Sequence, residues 1–220
     1  ALGGATSSTA AHAIDNVGLA RFVAGIIFPV GLMIIVFVGG ELFTGNCLMV
    51  MALLERRITP AQLLRNWLTV YLGNAMGGAA VAALAVYSHT ASLFGDGLAR
   101  SMVSIAESKA ALGFGDAFLR GVLCNFLVCL AVWMAAASKR AEGKVIALFF
   151  PILLFVLCGY EHCIANLYYL PAGAFAAAEY GMETTLTLAG CLENLAAVTL
   201  GNLVGGAALG VGYRFAYLKE

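Results

Sequence analysis

In 220 residues the chain carries 12 basic and 12 acidic side chains, a formal net charge of zero, and 62% hydrophobic against 11% charged residues. A soluble domain has roughly 25% charged residues, so this composition excludes a water-soluble globule, and neutrality without a basic run excludes a nucleic-acid partner or a polybasic lipid anchor. Six cysteines, at positions 47, 124, 129, 158, 163 and 191, fall mostly in apolar sequence without zinc-type spacing; they read as packing residues, and no metal or other cofactor is implied.

The opening stretch ALGGATSSTAAHAID reads as the tail of a hydrophobic helix whose start lies outside the numbered sequence, so the first span is expected to be truncated. Apolar segments able to cross a hydrocarbon core about 30 Å thick follow at 17–40, 61–88, 117–138, 145–178 and 192–217. With only Arg21 and Glu41 as charges, residues 17–54 would form one straight rod of about 57 Å at 1.5 Å per residue, and residues 145–178 one of about 51 Å. Both are too long for one crossing, so each should break near its middle, at GGELFTGN (39–46) and at GYEHCIAN (159–166). The stretch 89–115 reads as a connecting loop. The chain is then one transmembrane channel domain, with 1–88 the rest of a first three-span repeat and 116–220 the second.

The repeat is written in the residues. Both breaks contain Glu-x-x-x-x-Asn, Glu41 to Asn46 and Glu161 to Asn166, and downstream NWLTVYLGNAMGG (66–78) matches NLAAVTLGNLVGG (194–206) at Asn66, Gly73, Asn74, Gly77 and Gly78. Three spans are an odd number of crossings, so the second copy runs through the membrane in the opposite sense and the two broken helices, spans two and five, meet near the midplane. The glycine pairs suit close helix packing. Basic residues gather at Arg56, Arg57 and Arg65, at Lys139, Arg140 and Lys144, and at Arg214 and Lys219, all on one side in a six-span count. The positive-inside rule makes that side, and the C-terminus, cytoplasmic.

Broken backbone at membrane depth survives only where it is buried in protein or lines a water-filled path, so two such breaks imply a channel or transporter. The first break offers Thr44, a hydroxyl that can donate to an anion, beside bulky Leu42 and Phe43; the second offers His162. An imidazole gains or loses a proton near pH 6.5, and an ionisable group inside a span marks function by default. Asn125, in the uncharged run GVLCNFLVCLAVWMAAA, is placed to orient His162. Glu41 and Glu161 are expected to cap the half-helix N-termini, and Asn46, Asn166, Asn74 and Asn202 to bond helices together. On its own, Lys109 reads as a solvated loop charge, and His12 and His89 carry no signal. A water or neutral-solute channel shares the inverted repeat but has Asn-Pro-Ala at both breaks, where this chain has TGN and IAN. A membrane enzyme is disfavoured by the single deep histidine and by the lack of any haem or iron–sulfur pattern.

GGELFTGN, NWLTVYLGN, GVLCNFLVCLAVWMA, GYEHCIAN and VTLGNLVGG together resemble the formate/nitrite transporter family, pentameric channels with an aquaporin-like protomer, from about residue 17 to 213. The resemblance implies an all-α, six-span homopentamer in a bacterial or archaeal cytoplasmic membrane, passing a small monovalent anion with a proton. Formate, nitrite and hydrosulfide are not separated by it. It makes His162 the central pore histidine, with Thr44 and Asn125 completing a polar triad, and Leu42, Phe43 and Thr44 a flexible loop. It places Phe28 and Leu32 at a cytoplasmic constriction, and Leu42, Phe155 and Val128 at a periplasmic one. Lys109 becomes a vestibule lysine that concentrates anions. A bare anion at the bilayer centre loses its hydration at great cost, whereas a weak acid that picks up a proton crosses as a neutral molecule.

Overall fold

The computed structural model describes residues 1–12 and 14–217; Lys219, used above for the topology, lies outside them. Among the described residues the chain is helical, with no strand. A short helix α1 (Leu2–Ala11) leads to α2 (Val17–Ile27) and α3 (Val30–Val38), which a bend at Phe28 and Pro29 separates without ending the crossing. After the first break come α4 (Phe43–Asn46), a tight turn at Cys47–Met49 and α5 (Val50–Leu54), then the long α6 (Pro60–Tyr87). The second half runs through α7 (Gly97–Ala110), α8 (Phe114–Ala137), α9 (Ala141–Leu157), α10 (Cys163–Glu179) and α11 (Leu188–Tyr217).

Local chemistry sets these boundaries. Asn16 accepts the Leu19 N–H at 3.0 Å and starts α2. Thr59 and Gln62 exchange side-chain and backbone bonds ahead of α6, with Pro60 at its first position, where a missing N–H costs nothing. The two half-helices end alike, on glycines in the left-handed region, Gly39 at φ 74° and Gly159 at φ 69°, a conformation that a side chain disfavours.

Four helices, Val17–Val38, Pro60–Tyr87, Phe114–Ala137 and Leu188–Tyr217, are long and apolar enough to cross a membrane. A further crossing is shared by α9 and α10, each of 17 residues, as the length argument requires. The breaks are tighter than expected, four residues (39–42) between α3 and α4 and five (158–162) between α9 and α10. Apolar side chains such as Leu64, Leu68, Leu72 and Met76 stand outward on α6, while the buried polar side chains include Thr44, Asn125, Glu161, His162, Asn166, Asn194 and Asn202. An apolar outside around a polar interior is the distribution expected of helices that cross a membrane. Helices α8 and α11 approach closely because Gly201 and Gly205 lie against the backbone of Phe118 and Val122, where a Cβ would collide.

One expectation is corrected here. The stretch 89–115 is not a loop throughout: it contains α7, whose Leu98, Ala99, Met102 and Val103 are buried against Tyr168, Ala172 and Ala176 of α10, with buried Ala106 against Gly173. These residues recur on one face of a helix, and mixed charges between them mask the pattern.

Candidate functional site

The two breaks are held by matching asparagine networks. At the first, Asn74 Oδ1 accepts the Phe43 N–H at 3.0 Å and its amide donates to the Glu41 carbonyl at 3.1 Å. At the second, Asn202 Oδ1 accepts the Cys163 N–H at 2.9 Å and its amide donates to the Glu161 carbonyl at 3.0 Å and the Gly121 carbonyl at 2.8 Å. The carboxylates are held alike: Asn46 and Asn66 donate to Glu41 at 2.8 and 3.0 Å, and Asn166 donates to Glu161 at 2.7 Å. Glu41 and Glu161 are therefore not helix caps. Of the free N–H groups at the starts of α4 and α10, those of Phe43, Cys163 and Ala165 go to Asn74, Asn202 and His162, and the glutamates brace the breaks by binding asparagine amides.

His162 is the cap of α10. Its Nδ1 accepts the Ala165 N–H at 3.1 Å and its Nε2 lies 2.9 Å from Thr44 Oγ1. A nitrogen that accepts an N–H carries no hydrogen, so in the neutral ring Nε2 holds the proton and donates to Thr44. The ring stacks on Phe155, with 5.8 Å between centroids. Asn125 does not reach His162 as expected; its amide donates to the carbonyls of Thr44 at 3.2 Å and Asn202 at 2.7 Å. With Cys129 Sγ, also 3.2 Å from the Thr44 carbonyl, it fixes the backbone that aims the Thr44 hydroxyl.

Two cavities meet at this point. One, about 350 Å³, is bordered by Arg21, Lys109, Arg120, Glu161 and His162; the other, about 320 Å³, by Leu32, Leu42, Val128 and His162. Phe28 and Phe155 border both and meet edge to face, their centroids 5.5 Å apart. The expected grouping of the constrictions is thereby corrected: Phe28 faces Phe155, whereas Leu32 groups with Leu42 and Val128 on the side away from Lys109. Phe43 borders neither cavity and packs on Tyr71 and Trp67, at 5.0 and 6.4 Å between centroids. Position along a helix gives a residue's height but not the helix it faces.

Lys109 bonds both oxygens of Glu161, at 2.9 and 3.0 Å, with side chains 16% and 7% exposed. Its carbonyl accepts the Asn194 amide at 2.8 Å. Two residues earlier, Glu107 accepts the Thr185 N–H and the Thr184 hydroxyl, each at 2.8 Å; these bonds, the backbone one foremost, hold its carboxyl below the usual carboxylate value. Sequence reasoning passed over Arg21, Arg120 and Asn194 as site residues. The signal was available for the two arginines, as ionisable groups within or beside apolar spans.

A sequence profile described as "Formate/nitrite transporter" matches residues 1–216. A probable formate transporter of Methanothermobacter thermautotrophicus is 38% identical over 219 residues, covering 92% of this chain and 77% of that protein. A formate channel of Haemophilus influenzae is 36% identical over 224 residues, covering 96% of this chain and 79% of that one. Among solved structures, a pentameric formate channel with formate bound superposes with a TM-score of 0.86 at 31% identity, over 99% of this chain and 92% of that one. An ion channel of the same family superposes at 0.88, also at 31% identity, over 98% and 84%.

Proposed function

This chain belongs to the formate/nitrite transporter family, and on that premise we propose that it carries formate, or nitrite or hydrosulfide as an anion of the same kind, across a bacterial or archaeal cytoplasmic membrane. The family is one of transporters and not of enzymes. The working unit is a homopentamer, as in the pentameric formate channel it resembles, embedded in lipid, with each protomer holding its own path; the C-terminus is cytoplasmic because Arg56, Arg57, Arg65, Lys139, Arg140, Lys144 and Arg214 gather on its side.

The observation that carries this reading is the bond between His162 Nε2 and Thr44 Oγ1 where the two cavities meet. Thr44 is fully buried behind His162 and borders neither cavity; because it accepts from Nε2, its own hydroxyl hydrogen is left for an anion that has passed the Phe28 and Phe155 rings from the Lys109 side. Phe28 and Phe155 strip water from that anion, and a hydrogen bond in such a site is stronger than in water. With Nδ1 committed to Ala165, a neutral His162 has one proton, and giving it away would leave an imidazolate. The geometry therefore favours a histidine that orients and polarises, with the proton that neutralises the anion supplied from vestibule water. The neutral acid then passes Leu32, Leu42 and Val128.

Proteoliposome uptake of formate at about pH 5.5 and about pH 7.5, either side of the ordinary imidazole range, tests this with His162→Asn and His162→Phe. Asparagine can still cap α10 but cannot titrate; phenylalanine does neither. Because the proton comes from vestibule water, both variants are expected to keep the fall of uptake between these two pH values but to lose rate at each, the asparagine variant with the fold intact. Loss of that pH dependence in the asparagine variant, or wild-type rates in both variants, would refute the reading.

A further inference from the structure

We propose that Arg21 and Arg120, not Lys109, supply the free positive charge that captures the anion, and that they select for planar anions with two oxygens; this rests on the channel reading above. The vestibule is bordered by three cations and one nearby carboxylate, Arg21, Lys109, Arg120 and Glu161. Lys109 is committed: both oxygens of Glu161 bind its ammonium, and the pair carries no net charge. An anion approaching that ammonium also meets the carboxylate. Lys109 further sits over the Tyr169 ring, 5.3 Å from its centroid.

Arg21 and Arg120 have no such partner. Among the described residues the ion pairs are Lys109 with Glu161 and Arg214 with Glu55, so Asp116, one turn before Arg120 on α8, is beyond pairing distance. Neither guanidinium has a hydrogen-bond acceptor among the described residues, and both residues are exposed. The fold nevertheless fixes where they stand. A Cβ at Gly159 would lie 3.3 Å from Arg21 Nη1, so the left-handed glycine of the second break leaves room for this guanidinium. The Arg120 carbonyl accepts the Glu161 N–H at 3.3 Å, tying α8 to the same break. Two unpaired guanidinium groups thus flank the mouth of the path that ends at His162. A guanidinium presents two parallel N–H donors that match a carboxylate, which a point-charge ammonium does not. Formate and nitrite offer two oxygens to that fork; hydrosulfide and chloride offer none.

The test is formate uptake into proteoliposomes against formate concentration at low and high ionic strength, with Arg21→Gln, Arg120→Gln, the double variant and the corresponding lysine variants. Detergent size-exclusion profiles matched to wild type establish assembly. Each glutamine variant is expected to raise the half-saturating formate concentration about threefold, and the double about tenfold, with weaker salt dependence, as loss of steering charge predicts. The rate at saturation should stay within about twofold, because ground-state capture is lost and the crossing is not. The lysine variants should restore capture but lose the preference for formate over chloride as competitor. Unchanged half-saturation and salt dependence in the double glutamine variant would overturn the inference while leaving the channel reading standing, and unchanged chloride competition in the lysine variants would overturn the selection. Absence of uptake of formate, nitrite and hydrosulfide alike by the wild type would overturn the channel reading and the inference with it.

Discussion

Replacing Asn202 with alanine should destabilise the protein far more than the same change at its repeat partner Asn74. Asn202 is fully buried, and its loss strands the Cys163 N–H and the Glu161 carbonyl and removes a second bond from the Gly121 carbonyl, which keeps its bond within α8. An orphaned buried polar group costs about 1–3 kcal/mol, so two of them sum to about 2–6 kcal/mol, and the full burial of the site should hold the value toward the upper end. Asn74 leaves two groups, the Phe43 N–H and the Glu41 carbonyl, and both bonds lie in less buried surroundings. Solvent can replace them, for an expected cost of about 1–2 kcal/mol. Unfolding of the purified protein in mixed micelles, followed by circular dichroism as denaturing detergent is added, gives the two values. Hydrogen exchange should show the Cys163 amide opening in the Asn202→Ala protein. Equal destabilisation by the two substitutions, or a Cys163 amide as protected as in wild type, would refute the assignment of Asn202 as the group that holds the second break.

Lys109→Met leaves the Glu161 carboxylate buried with no cation, at an expected cost of about 3–5 kcal/mol; adding Glu161→Gln should recover about half in the same unfolding assay, and additive losses would contradict the coupling. Phe28→Ala combined with Phe155→Ala removes the ring contact where the cavities meet, so lactate uptake should rise toward that of formate, and unchanged exclusion of lactate would put the barrier elsewhere. Glu107 holds Thr184 and Thr185 as a carboxylate whose titration is depressed below its usual 4.5. A depressed carboxyl stabilises fully above its ordinary value and loses that contribution as pH falls through the lowered one. The Thr185 amide should therefore stay protected from exchange at about pH 5, open on further acidification, and be open at every pH in Glu107→Ala; protection in that variant would sever the link between Glu107 and the loop.

The breaks were legible because length alone condemned the straight-helix reading, and because Glu-x-x-x-x-Asn appears in both halves. The repeat also pointed to Asn74 and Asn202, since the two asparagines recur at the same distance from their glycines. What each asparagine binds was not legible. Asn125 lies in an uncharged run and was assigned to the only titratable partner in view, yet its amide serves the backbone of Thr44 and Asn202. Phe43 looked equivalent to its neighbour Leu42, but consecutive residues entering a helix point about 100° apart; one borders the cavity and the other joins Tyr71 and Trp67. The partition of Phe28, Leu32, Val128 and Phe155 depends on how helices from different halves face one another, which is a property of tertiary packing.

The position after each glutamate shows how a symmetric frame can hold an asymmetric path. Leu42, at φ −123° and ψ 121°, and His162, at φ −122° and ψ 113°, have almost the same backbone and both stand at the start of a half-helix. In one half the slot holds a leucine that caps nothing and borders an apolar cavity; in the other it holds an imidazole that caps α10. Two residues past each glutamate's neighbour the roles exchange, with Thr44 in the first half and Ile164 in the second. The hydroxyl and the imidazole therefore come from opposite repeats and meet in one hydrogen bond across the interface between them. Two leucines in these slots would leave no polar partner at the midpoint, and two histidines would place titratable groups in both halves of the path. Filling equivalent slots with unlike side chains gives a single polar point with apolar surfaces beside it, the arrangement in which an anion is held briefly and leaves as its neutral acid.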